Sequence, residues 1–350
     1  MIRFNDWCDL VVTDVGAHGM VVLSARPRDA HCAQDAIAAV VPVHYASEEH
    51  LAGILRRLGK AAAAEFIREK LPISKSLRSG DLGEILATEY IDEETSYVVP
   101  IKRLRWKDHR EMAMRGEDVI GIEHDPATGL LRFLKSEAKS RVSLAAPVIT
   151  DARAALDKDN GLPSAHALSF ISERLMEAGD TVLADAIDDA QLKDGISPRD
   201  VSHLVFTLSG NDPTRVLESS LQNYGGAVPQ SAVGVRVAAH VDFVRGVYEK
   251  VTVNGDDRLA DRSRHHECIG TGLPRSAFST RSGARDDLAG WGSSTRCARI
   301  FEPSQLRSPF LRICHARPRP AAPGLGWTRG NREARLRASG DRVGIGDSER

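Results

Sequence analysis

Asp118, Glu137 and Lys139 are the residues whose types and spacing most readily support chemistry. Asp118 stands at the entrance of the apolar run Val119-Ile120-Gly121-Ile122, and Glu137-Ala138-Lys139 closes the run that begins at Leu130. Residues two apart on a β-strand share a face, so Glu137 and Lys139 point the same way while Ala138 turns into the packing. Carboxylates from Asp118 and Glu137, joined by the Ala138 carbonyl, form an oxygen donor set suited to Mg²⁺ or Mn²⁺. A cation held there would bind a phosphate oxygen and lower the pKa of a water. Lys139 would hold or help deprotonate that water and offset developing negative charge. The expected chemistry is hydrolysis of a phosphodiester. Glu84 is the candidate for a second metal position, and Arg141 for contact with the adjacent phosphate.

Glu-x-Lys alone says little. Among ten lysines and 48 acids the pattern occurs once, at Glu137-Ala138-Lys139, about as often as chance allows. A plain surface ion pair at a strand end competes with the functional reading. Its context adds the weight: an acid before the preceding strand, and an acid-bearing helix before that. Glu117 and Glu123 compete with Asp118, which is preferred for its place at the strand entrance. Glu84, in Ser79-Gly80-Asp81-Leu82-Gly83-Glu84, has its own alternative: Asp81 as N-cap and Glu84 as its capping-box partner. Gly80 and Gly83 would let the backbone there come close to a sheet or phosphate.

These residues must be positioned by a mixed sheet with helices on its faces. Residues 1–75 read as a small α/β region packed on the core, with strands at Leu10–Val12 and Met20–Leu23. Helices follow at Gln34–Val40 and Glu48–Lys70, separated by the strand-like Val41–Tyr45. Leu71-Pro72-Ile73-Ser74 marks a boundary. Residues 76–255 contain a helix at Asp81–Ile91, a strand at Tyr97–Leu104, and a hairpin of strands 119–123 and 130–138. Asp125-Pro126 with Gly129 supplies the hairpin's turn. Helices near Thr150–Asp157, Ser164–Glu177 and Thr181–Leu192, a buried strand at His203–Leu208 and a helical stretch near Val235–Val251 complete it.

Composition narrows the classes. The 350 residues are 42% hydrophobic and 27% charged, as in an ordinary soluble protein, and no apolar run is long enough to span a bilayer. Cysteines at 8, 32, 268, 297 and 314 have no paired spacing, which points to reduced thiols in a cytoplasm rather than disulfides or zinc. Neither a Walker A loop nor a dinucleotide fingerprint is present, so any nucleoside triphosphate chemistry would belong to a partner. Residues 1–255 carry 29 basic and 37 acidic side chains, a balance of −8. Binding DNA would therefore require a local cleft or a partner to supply positive charge.

Residues 256–350 differ in kind. They hold 18 arginines, no lysine and 11 acids, a balance of +7, within Gly-, Ser- and Pro-rich runs lacking a hydrophobic period. No packed core is expected there. One hypothesis is a frameshifted extension of a GC-rich gene, which an intact reading frame through Arg350 would refute; the rival is a disordered basic arm for nucleic acid.

The run Gly80-Asp81-Leu82-Gly83-Glu84, then Asp118, then Glu137-Ala138-Lys139 resembles the PD-(D/E)xK nuclease superfamily. Within it the chain is similar over roughly residues 5–255 to the HamA family, the nucleases of Hachiman antiphage defence. Glu117, not proline, precedes the aspartate. The resemblance implies a restriction-endonuclease-like sheet and a catalytic set of Asp118, Glu137 and Lys139, with Glu84 as the helix acid. It also implies DNA as substrate and a partner, a HamB-like superfamily-2 helicase, that restrains the nuclease until damaged or invading DNA is sensed. Two alternatives stand beside it: a noncatalytic partner-binding module with a nuclease-like fold, and a restriction or repair nuclease.

Overall fold

The computed structural model describes residues 2–114 and 116–254. The expectations for residues 256–350 lie outside the described residues. Fourteen regular elements follow one another: β1 (Cys8–Val15), β2 (His18–Ala25), α1 (Ala30–Tyr45), α2 (Glu48–Lys70), α3 (Lys75–Glu94), β3 (Val119–Asp125), β4 (Leu130–Arg141), α4 (Ala146–Leu156), α5 (Ala165–Ala178), α6 (Thr181–Asp189), β5 (Val201–Ser209), α7 (Thr214–Gln222), β6 (Gln230–Arg236) and α8 (His240–Asn254). Among the described residues no helix is long and apolar enough to cross a membrane.

The six strands make one mixed sheet in the order β1-β2-β6-β5-β4-β3. The central pairs β2–β6, β6–β5 and β5–β4 are parallel, and antiparallel hairpins close both edges. Strands β1 and β2, from the N-terminal region, thus extend the same sheet that carries Glu137 and Lys139. Alternation sorts the strand side chains between two faces. Leu23, Leu134, Phe206 and Val235 pack on one face, under α1, α2, α3 and α8. On the other, Met20, Val205 and Ala232 meet α4 and α7, while Ile120, Ile122 and Phe133 meet α5 and α6. Burial of these apolar side chains, at roughly 25 cal/mol per Å² of apolar surface, is the main force holding helices to sheet.

Several local expectations are corrected. Val41–Tyr45 is not a strand but the last turn and more of α1, because Val41, His44 and Tyr45 recur at helical spacing and all are buried. Pro42 is accommodated near the helix end, where its carbonyl accepts from Ala46 N at 3.1 Å. Tyr97–Leu104 is not a strand either: it makes a single bridge, Val98 with Ile122, then enters a 3₁₀ turn at Arg103–Trp106. The helical stretch placed at 235–251 starts only at His240, since Val235 and Arg236 end β6, a buried parallel strand. In addition, α2 bends at Gly59, where a φ of 82° interrupts the helix.

The capping-box alternative for Glu84 is also overturned. Helix α3 begins six residues before Asp81, capped by Ser74, whose hydroxyl accepts from Leu77 N at 3.4 Å. Asp81 and Glu84 therefore lie inside the helix. A Cβ on Gly83 would approach Ser140 Cβ to 3.3 Å, so this glycine lets α3 press against β4 beside Lys139. Gly80 faces open space and has no such role.

Candidate functional site

Asp118 sits one residue before β3, opposite the part of β4 that carries Glu137. Its Oδ2 accepts from the Ala138 backbone N–H at 2.9 Å, which fixes the carboxylate against β4. With Val119 paired to Ser136, Asp118 stands across from Glu137, and each carboxyl feels the other's charge. Lys139, on the same face of β4, donates to Glu137 Oε1. Glu84 is carried by α3 and reaches the group through a cation: Arg103 Nε donates to Glu84 Oε2 at 3.2 Å, and Arg103 Nη2 lies 3.5 Å from Asp118 Oδ1. A third guanidinium nitrogen, Nη1, donates to the Glu117 carbonyl.

All three acids hold their protons more tightly than ordinary carboxyls. Burial is the chief cause for each. The Asp118 charge adds to it for Glu84 and Glu137, while Arg103 and Lys139 offset it in part. Like charges drawn together out of water are held at a cost, which counter-charges relieve. Among the described residues, no three His, Cys, Asp or Glu side chains stand in the geometry of a metal cage. Glu84 is turned to Arg103 and Glu137 to Lys139, so the acids are close but engaged by side chains. Ala138 contributes its N–H to Asp118.

The competing acids are placed elsewhere. Glu117 caps α5: its carboxylate accepts from Ser164 N at 2.8 Å and Ser164 Oγ at 2.9 Å, with the buried Lys135 ammonium 3.7 Å away. Glu123 pairs with Arg132 at the far end of the hairpin. Arg141 is exposed and donates to the neighbouring Ser140 carbonyl.

A cavity of about 500 Å³ opens beside the acids. Glu84 and Asp118 line it, together with Lys102, Arg103, Trp106 and Phe170. The Trp106 and Phe170 rings meet edge to face at 5.7 Å. Most of its cationic lining comes from the segment between α3 and β3, of which Tyr97–Leu104 is expected from the sequence to be a strand. The missed signal is its density of charge, four basic residues in Lys102-Arg103-Leu104-Arg105-Trp106-Lys107. Each outer lysine has its own acid on α3. Lys107 Nζ lies 2.8 Å from Asp81 Oδ2, and Lys102 Nζ lies 2.8 Å from Glu89 Oε1.

His44 completes the second of these clusters, with Nε2 2.8 Å from Glu89 Oε1. Burial lowers its pKa to about 4, so the ring is neutral near pH 7. For Glu89, burial is outweighed by hydrogen bonds from His44 and Lys102, which hold the carboxyl at about 2. The native imidazole binds a proton more weakly than the unfolded one, whose ordinary value is 6.5. Its contribution to stability is thus whole above pH 6.5 and is lost as the pH falls toward 4. Glu89 acts with the same sign at lower pH, from 4.5 down to about 2. The urea midpoint should fall further between pH 7 and pH 5 in the wild type than in His44→Gln. Parallel curves for the two proteins would remove His44 as the titrating group.

Comparisons with known proteins place the sequence in a family. The Hachiman protein HamA of Bacillus cereus is 26% identical over 152 residues, which are 43% of this chain and 53% of that protein. The match thus spans about half the length of that relative. The sequence profile of HamA matches residues 1–251, which takes in every element of the sheet and the whole acid cluster. This chain belongs to the HamA family.

Proposed function

We propose that this chain is a Mg²⁺- or Mn²⁺-dependent DNA nuclease, the effector of a Hachiman-type antiphage defence system, restrained by a HamB-like superfamily-2 helicase. One observation carries the reading: two largely shielded carboxyls, Asp118 and Glu137, face each other across paired strands, with Asp118 held by the Ala138 N–H and Lys139 bonded to Glu137. The helicase and the defence role follow from the family and the resemblance.

The donor set fits a hard divalent cation. It consists of carboxylate oxygens whose mutual repulsion and burial favour any added positive charge. Asp118 and Glu137 would hold the ion, and Glu84 would complete the set once freed from Arg103. When bound, it supplies Lewis acidity toward a phosphate oxygen and acidifies a water. The chain's own residues do the rest. The Ala138 N–H keeps Asp118 aimed at the site. Lys139 orients the attacking water and offsets charge on the phosphate. The apolar β3 and β4 side chains around them keep the dielectric low, which strengthens each of these interactions. The −8 balance of residues 1–255 leaves non-sequence-specific phosphate binding to the local cations and to a partner.

A second reading, a noncatalytic module that keeps the fold and binds a partner, is favoured by one feature: each acid is already matched by Arg103 or Lys139. Incubation of the full chain, free of other proteins, with plasmid DNA separates the two. Nicking or linearisation in Mg²⁺ that stops in EDTA is the expected result. Intact plasmid at all Mg²⁺ and Mn²⁺ concentrations would favour the binding module. A helicase gene beside this one supports the defence role, whereas methyltransferase and specificity genes there would point to restriction.

A further inference from the structure

Arg103 touches two of the acids at once, and those acids come from different elements. Its Nε and Nη2 span Glu84 of α3 and Asp118 at the mouth of β3, 3.2 and 3.5 Å away. Arg103, Glu84 and Asp118 are all largely shielded from water, with side-chain exposures of 14, 15 and 16%. A guanidinium so placed meets the same electrostatic demand that a divalent cation would meet, and from the same oxygens. The two cannot occupy that position together.

The backbone that carries Arg103 is pinned on both sides. Lys102 is tied to Glu89 and Lys107 to Asp81. Leu104, the next residue, is 4% exposed and belongs to the core between the sheet and its helices. Arg105 donates to the Val43 carbonyl at 2.9 Å. These anchors run in reverse order along α3, so the segment lies antiparallel to the helix with Arg103 at Glu84. Withdrawal of the Arg103 side chain would give up its bonds to Glu84, Asp118 and the Glu117 carbonyl, and the cavity of about 500 Å³ that it lines offers the space.

We infer that Arg103 is a built-in competitor for the cation seat, a tethered counter-ion that closes the acid cluster until it swings into the adjoining cavity. This rests on the cation-binding reading of Asp118, Glu137 and Glu84. Cation binding and withdrawal of Arg103 are then one coupled event, and the coupling is reciprocal. Whatever draws the guanidinium away raises cation affinity, and an anion such as a DNA phosphate in the cavity is the simplest such agent. The chain alone at low cation concentration stays shut.

Mn²⁺ binding to the full chain, followed by calorimetry and by the electron paramagnetic resonance signal of free Mn²⁺, tests this without any cleavage assay. Arg103→Gln should bind Mn²⁺ about tenfold more tightly than the wild type, a typical size for such coupling. In EDTA the same variant should melt lower than the wild type, because its acids have lost their counter-charge, and saturating Mn²⁺ should restore it. Equal affinities in the two proteins would overturn the competition while leaving the cation site standing. Absence of Mn²⁺ binding to both would overturn the cation site itself. Arg103→Lys, which keeps the charge but not the fork that spans two carboxylates, replaces Arg103→Gln if that variant does not fold. Its affinity should then lie above that of the wild type.

Discussion

Lys139→Ala should remove Mg²⁺-dependent DNA cleavage while leaving the fold intact. The loss expected for a group that positions a water and stabilises charge is about 10²–10⁴-fold in rate. Folding should survive because Lys139 is a partly exposed side chain near the end of β4, on the face opposite to the Ala138 contact with the core. Loss of its charge beside the largely shielded Glu137 should lower the melting temperature without preventing folding. Glu137→Ala is the companion experiment. It should weaken Mg²⁺ binding measured by calorimetry, whereas Lys139→Ala should not, since an ammonium is no ligand. A Lys139→Ala protein that cleaves at the wild-type rate would remove the residue from the chemistry. Unchanged Mg²⁺ affinity in Glu137→Ala would take that carboxylate out of the donor set.

Asp81→Ala should be among the most destabilising single substitutions in the chain. Asp81 lies inside α3 and is 3% exposed. It accepts from Lys107 Nζ at 2.8 and 3.1 Å and from the Tyr45 hydroxyl at 2.6 Å. Lys107 is itself only 5% exposed, so removal of the carboxylate strands an ammonium and a phenol away from water. Breaking one side of a buried ion pair costs about 3–5 kcal/mol. The double variant Asp81→Ala with Lys107→Met should recover much of the loss, because no buried charge is then left unpaired. Urea unfolding would show both effects. A loss below about 1 kcal/mol for Asp81→Ala, the scale of an exposed pair, would mean that the segment 102–107 is not seated as described.

That segment also shows where a linear reading stops. Tyr97–Leu104 has the composition of a strand, yet it bonds to the sheet at Val98 alone. Lys102 and Arg103 within it, and Lys107 just beyond, are drawn instead to α3, at Glu89, Glu84 and Asp81. Beta-propensity is weak where such contacts compete with ladder hydrogen bonds. The Val41–Tyr45 error has a related origin. Two valines and a proline argue locally against a helix, but His44 and Tyr45 are committed to Glu89 and Asp81 on α3, and those contacts require the helical turn. For β6, a strand buried on both faces lacks the alternation that would separate it from the helix beyond.

The hairpin was legible because everything that specifies it is local. Two apolar runs and an Asp-Pro turn with Gly129 place β3 and β4 side by side, and a period of two sets Glu137 and Lys139 on one face. So much the order of amino acids determined by itself. Asp118 is preferred over Glu117 for its place at the strand entrance, but the contacts that separate the two acids appear only in the folded chain. Glu117 is diverted to Ser164 at the start of α5, and Asp118 is held by the Ala138 N–H. The arrival of Arg103 between Glu84 and Asp118 has no local signature either. It depends on three elements distant in sequence meeting at one edge of the sheet, and contacts of that kind leave no periodic trace in the residues that make them.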